Sequence, residues 1–138
     1  MRILGIDYGD ARIGTSVCDE METMALPLKT VKSESMRKNI DAMAKLAREE
    51  SVGLIVVGLP LNMDGSEGER ASKTRSFGKV LSKVTGLEVE YVDERLTSVE
   101  AEEIMDTVGV KKGKHKVIID TIAAQIILQT YLDIKKKK

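Results

Sequence analysis

Residues 53–60, GLIVVGLP, form a short continuous apolar run closed by glycine and proline. A run of this length without polar alternation fits a strand covered on both faces, so layers are needed on either side of a sheet. The flanks supply them. From Met36 to Glu50, Met36, Ile40, Met43, Ala44 and Ala47 recur at helical spacing. After the run, the polar segment LNMDGSEGERAS feeds a second helix, expected to bury Phe77, Val80, Leu81 and Val84 and to stop at Gly86.

The remaining elements complete a mixed sheet. Residues 2–7 and 12–18 read as a hairpin about the Tyr8-Gly9-Asp10-Ala11 turn, and 26–31 as a third strand whose Pro27 suits only an edge or a strand start. LEVEYV (87–92) is the next strand. Thr97-Ser98-Val99-Glu100 fits a capping box opening a helix through Val108, with Ala101, Ile104, Met105 and Val108 as its buried stripe. GVKKGKHK (109–116) is a basic connector, and a last helix over 116–132 is apolar nearly all round, hence largely buried. Antiparallel strands followed by alternating strands and helices predict an α/β domain with helices on both faces of a mixed sheet. At 138 residues one domain is expected, over 1–134, with 135–138 a basic, disordered tail.

Composition excludes several classes. No stretch approaches the roughly 20 apolar residues of a membrane helix. Cys18 is the sole cysteine and no Cys/His zinc spacing exists. With the chain starting in a strand-like segment and no leader pattern, a cytoplasmic location is expected. Net charge is zero, but residues 111–138 carry eight lysines against Asp120 and Asp133, an excess of +6 balanced by −6 elsewhere. The basic end favours a polyanion; the acidic remainder does not.

Four acids stand at element ends. Asp7 closes the first strand, Asp93 and Glu94 close the last, and Asp120 lies in the first turns of the most apolar helix. Singly, each has an ordinary explanation: Asp7 orders the hairpin turn, Asp93 pairs with Arg95, Asp120 favours the positive end of its helix. Together, converging in one crevice, they would repel unless one protonates or a cation intervenes. Oxygen-only ligands select Mg²⁺ or Mn²⁺, and two such ions about 3.5–4 Å apart could activate water for phosphodiester cleavage. Strand alternation sends Asp93 and Glu94 to opposite faces. Alternation therefore leaves one of the two as a direct ligand; Glu94 is taken as that ligand, with Asp93 a second ligand or the partner of Arg95.

GIDYGDARIGTSVCD, VVGLPLNMDGSEGERA, VDERLTSVEAE and KKGKHKVIIDTIAAQIILQTYLD together resemble the YqgF-like family. These are RNase H-fold proteins related to Holliday junction resolvases and described as pre-16S rRNA nucleases. The resemblance spans nearly the whole chain and implies a five-stranded sheet of order 3-2-1-4-5. It implies a hydrolase acting on ester bonds, with Asp7, the acid of the DER motif and Asp120 as catalytic metal ligands. Asn62, Gly65 and Arg70 become candidates for contacting the substrate backbone. The implied roles are 5′-end processing of precursor 16S rRNA or resolution of branched DNA, the latter expected of a two-fold dimer and the former compatible with a monomer.

Further residues sharpen the substrate. Arg12, Arg95, and Lys114 and Lys116 of the KKGKHK connector could meet phosphates through salt-sensitive contacts. Aromatics are scarce, which argues against single-strand binding by stacking; Tyr8, beside the proposed site, is the one stacking candidate. Structured nucleic acid read through its backbone is the better expectation. Two other classes compete. DYGDARIG also resembles the phosphate-binding strand-turn-strand of sugar kinases and actin-like ATPases, which need two such domains where this chain has room for one. A non-catalytic RNA-binding ribosome-assembly module is the other.

Overall fold

The computed structural model describes residues 1–96 and 115–136; for Leu96 and 115–120 it describes the backbone. The expected helix over 97–108 and most of the basic connector, including Lys114, lie outside the described residues. Five strands, β1 (Ile3–Tyr8), β2 (Arg12–Cys18), β3 (Ala25–Lys32), β4 (Leu54–Leu59) and β5 (Val89–Asp93), form one sheet of order β3-β2-β1-β4-β5. β1–β2 and β2–β3 are antiparallel, whereas β1–β4 and β4–β5 are parallel. Helices α1 (Met36–Glu49), α2 (Glu69–Thr85) and α3 (His115–Lys136) cover it.

The apolar run behaves as its composition dictates. Along β4, Ile55 and Val57 enter the core shared with α1 and α2, while Leu54 and Val56 enter the core beneath α3. All six β4 residues are buried. β1 alternates in the same way: Leu4 and Ile6 join the α1/α2 side, and Ile3 joins the α3 side. Pro27 lies on the outermost strand, as its missing N–H requires. The register shifts between Gly14 and Ser16 on β2. There Thr15 Oγ1 donates to the Lys29 carbonyl at 2.6 Å and accepts the Lys29 N–H at 3.1 Å, satisfying the backbone that the irregularity releases.

α1 starts at Ser35, whose side chain accepts the Lys38 N–H at 3.2 Å. α2 ends on Gly86 at φ +74°, whose N–H bonds the Ser82 carbonyl at 2.8 Å. Nothing crowds the missing Cβ of Gly86, so only backbone conformation opposes a side chain there. Gly86→Ala should cost about 1 kcal/mol, read as a fall of about 4 °C in the melting temperature.

The stripe expected on α2 needs correction. Phe77 and Leu81 are buried, with Ala71, Thr74 and Gly78, but Val80 is 42% and Val84 55% exposed. The tightest approach to the sheet is at Gly78, where a Cβ would run into the Tyr91 hydroxyl. That contact rotates the buried face toward 74, 77, 78 and 81 and turns both valines outward. α3 buries Ala123, Ala124, Ile126, Ile127, Leu128 and Leu132 and leaves Ile122 half-buried. It also runs beyond the expected end at 132, through Lys136. Lys135 and Lys136 in its last turn suit the negative helix end, and Lys135 Nζ lies 2.8 Å from Glu22.

α3 is seated closely. A Cβ on Gly5 would fall on Ser16 Oγ and lie 2.9 Å from Leu128 Cβ and 3.1 Å from the Ala124 carbonyl. Ser16 Oγ donates to that carbonyl at 2.7 Å. Gln125 Nε2 donates to the Ala25 carbonyl at 3.0 Å, and the Ala25 N–H to Gln129 Oε1 at 2.9 Å, tying the same helix to the outer strand. Among the described residues no helix is long and apolar enough to cross a membrane.

Candidate active site

Strand alternation, starting from Gly5 against α3, brings Asp7 to the α3 face at the carboxyl end of β1. Glu94 reaches the same place from the turn of 3₁₀ helix (Glu94–Leu96) that follows β5. It crosses β4 at Gly58, where a Cβ would lie 3.4 Å from Glu94 Cδ and 2.5 Å from Ile127 Cδ1. The absent side chain at 58 leaves the space that Ile127 of α3 fills, with the Glu94 carboxyl in ordinary contact beside it. Glu94 is the acid that the sequence predicts here, and the glycine inside the apolar run marks the close approach of α3.

Asp7 and Glu94 are hydrogen-bonded to each other through their carboxyl groups. Burial, then the bond to Glu94 and its negative charge, push the Asp7 carboxyl up to about 9, while the positive charge of Arg70 works in the opposite direction. Two carboxylates in contact require a shared proton or a cation between them. The donors are hard oxygens, which suits Mg²⁺ or Mn²⁺ and not a thiolate-seeking metal. Among the described residues no group of three His, Cys, Asp or Glu side chains could hold a metal ion. Asp120, the third expected ligand, lies in α3 one turn before Ala124, and its side chain is outside the described residues.

Asp93 goes elsewhere. Its carboxylate takes Arg95 Nε at 3.1 Å and 3.0 Å and Nη2 at 2.6 Å, and these bonds hold it below the usual carboxylate range. Arg95 Nη1 donates to the Met63 carbonyl at 3.1 Å. Asn62 and Gly65 lie in this loop, both exposed, with the Gly65 N–H on the Asn62 carbonyl at 2.8 Å and Gly65 at φ +88°. Only glycine adopts such a φ at little cost.

The basic candidates separate likewise. Arg70, exposed in the first turn of α2, is close enough to act on Asp7. It shares a shallow recess with Tyr8, Asp10, Lys73 and Thr74, in which Lys73 Nζ stands 3.4 Å from Asp10. Lys73 was not foreseen, since a lone lysine on a charged helix carries no signal. Arg12 opens β2 opposite Lys32, and the β1–β2 register puts it on the Asp7 face, alternate to Gly14. The side chain of Lys116 is outside the described residues. Tyr8 is not available as a stacking platform: its ring lies 4.0 Å from that of Phe77 at 11°, facing the α1/α2 core on the side opposite Asp7.

Comparison with known proteins matches residues 1–134 to the family described as "RuvX: Holliday junction resolvase". A "Putative pre-16S rRNA nuclease" of Syntrophus aciditrophicus is 44% identical over 133 residues, covering 96% of this chain and 89% of that protein. One of the same description from Ruminiclostridium cellulolyticum is also 44% identical, over 134 residues, covering 96% and 94%. In fold, the chain is similar to Thermus thermophilus RuvC in complex with a Holliday junction substrate, with a TM-score of 0.65 at 15% identity, covering 100% of this chain and 97% of that one. The fowlpox virus Holliday junction resolvase gives a TM-score of 0.61 at 12% identity, covering 98% and 99%. The sheet order, the RNase H-like resolvase fold and the family match over nearly the full length agree: this chain belongs to the RuvX (YqgF) family.

Proposed function

We propose that this protein is a divalent-cation-dependent nuclease that hydrolyses phosphodiester bonds, with the 5′ end of precursor 16S rRNA as its substrate in the cytoplasm. The observation that carries the reading is the Asp7–Glu94 carboxyl pair, partly buried and in mutual contact at the ends of β1 and β5. The names of the curated relatives supply the substrate. Asp7 and Glu94, with Asp120, would hold Mg²⁺ or Mn²⁺. Bound there, the cation supplies Lewis-acid polarisation of a phosphoryl oxygen. Arg70 brings positive charge to the edge of the pair, where a backbone phosphate would arrive. Arg12, on the Asp7 face, and the exposed loop of Asn62 and Gly65 are further candidates for contacting the substrate backbone, and Lys114 and Lys116 would extend the contact to more distant phosphates.

A second reading, resolution of four-way DNA junctions, is favoured by the description attached to the family model. It calls for two sites related by a two-fold axis, so a homodimer, where end processing can be performed by a monomer. A side-by-side assay decides. The purified chain should cleave a structured precursor 16S rRNA with Mn²⁺ and not with EDTA, and sedimentation should report the oligomeric state. Cleavage of the four-way junction alone transfers the assignment to the resolvase. Tight RNA binding without cleavage makes the chain an assembly module.

A further inference from the structure

Arg95 follows Glu94 in sequence but works on the other side of the sheet end. Its guanidinium spans two partners: the Asp93 carboxylate, through Nε and Nη2, and the Met63 carbonyl, through Nη1. A Cβ on Gly65 would lie 3.5 Å from Nη1, so the loop backbone rests against the guanidinium. Asp93 Oδ1 also accepts the Arg95 backbone N–H at 3.0 Å, which closes the turn that carries Glu94. One residue pair thus sets both the angle at which Glu94 leaves β5 and the seat of loop 60–68.

The loop is built to be held. Asn62 N–H bonds the Ser66 carbonyl at 2.9 Å, and Asn62 Nδ2 donates to Ser66 Oγ at 3.0 Å. Asp64 accepts the Ser66 N–H at 2.9 Å, and at the far end Arg75 clamps Glu67 with bonds of 2.6 Å and 2.9 Å. The Asp93–Arg95 pair is half-exposed, at 28% and 35% of the side chains, and pairs of that kind contribute little to stability. Its value lies in geometry. The planar fork of arginine is what allows one side chain to meet a carboxylate and a carbonyl together.

We propose that Asp93 and Arg95 form a bracket coupling the position of Glu94 to the loop bearing Asn62 and Gly65. On this view neither is a ligand of the cation or a contact of the phosphate; both are positioning residues for cleavage. The inference rests on the nuclease reading above, and its test has an arm that does not need activity. Asp93→Asn, Arg95→Ala, Arg95→Lys and the Asp93→Asn/Arg95→Ala double variant are compared in the full chain.

Each single variant should lower kcat about tenfold on whichever nucleic acid the parent cleaves, with the double variant no worse than the singles. KM and the salt dependence of substrate binding should stay within about twofold, and Mn²⁺ affinity by calorimetry within about threefold. Hydrogen exchange at the 62–66 amides should accelerate about tenfold in all four variants. Arg95→Lys should fail to rescue. A raised KM with a salt slope reduced by about one in Arg95→Ala, absent from Asp93→Asn, would make Arg95 a phosphate contact and overturn the bracket. Loss of Mn²⁺ binding in Asp93→Asn alone would make Asp93 a ligand and overturn it too. If the parent cleaves nothing, the nuclease reading falls, and unchanged exchange at 62–66 would then dispose of the bracket separately.

Discussion

Replacing Asp7 with Asn should abolish Mn²⁺-dependent cleavage and, in the same molecule, stabilise the metal-free protein. The two effects share one cause. With EDTA present, the folded chain keeps a proton on Asp7 up to about pH 9, whereas an unfolded chain releases it near 3.8. Between those values the folded state binds more protons, so its stability declines as pH rises through the window. Asn carries no charge, keeps an N–H for the bond to Glu94, and escapes that decline. At pH 8 in EDTA the variant should melt above the parent, and the gap should widen from about pH 5 to pH 8. The two melting curves should converge below about pH 4. Added Mn²⁺ should raise the melting temperature of the parent and leave Asp7→Asn where it was. A variant that melts lower than the parent at pH 8 in EDTA, or that still cleaves, would remove Asp7 from the centre of the site.

Gly5→Ala should unseat α3. The added methyl would meet Ser16 Oγ, Leu128 Cβ and the Ala124 carbonyl at once, and two of these belong to the helix. Ser16 Oγ cannot rotate away without giving up its 2.7 Å bond to the Ala124 carbonyl. Overpacking plus the lost buried bond of the Ser16 hydroxyl amount to about 3 kcal/mol, a fall of roughly 12 °C in the melting temperature. Cleavage should fall further than stability requires, because the helix that shifts is the one carrying Asp120. Chemical denaturation and initial-rate measurements on the folded fraction separate the two losses. A wild-type melting temperature would mean that α3 is not packed on Gly5.

The strands and the mixed character of the sheet were legible because the cues were local and agreed: a hairpin turn, an apolar run with no alternation, and Pro27 where only an edge tolerates it; their order came from the family resemblance, and the sheet has it. The opposed directions of Asp93 and Glu94 were expected from a period of two along one strand, but β5 ends at Asp93 and Glu94 takes its direction from the 3₁₀ turn that follows. What escaped depends on tertiary contact. Val80 and Val84 fit a helical stripe as well as Phe77 and Leu81 do, and only the approach of Gly78 to Tyr91 turns them outward. Tyr8 sits next to Asp7 in sequence, but the same period of two sends it to the opposite face, against Phe77. The Arg95 clasp on Met63 joins residues 32 positions apart, a distance over which no periodicity speaks.

The seat of α3 also orders events in time. The β1–β2 hairpin closes over a few residues, whereas Gly5 and Ser16 meet Ala124 across more than a hundred. Loop closure over that span comes late, after local pairings have formed. A chain emerging from its amino end therefore displays Asp7 early and Glu94 later, and receives the Asp120 helix at the end of the sequence. If the three acids act together, a copy truncated before α3 should carry the first carboxylates without the means to cut.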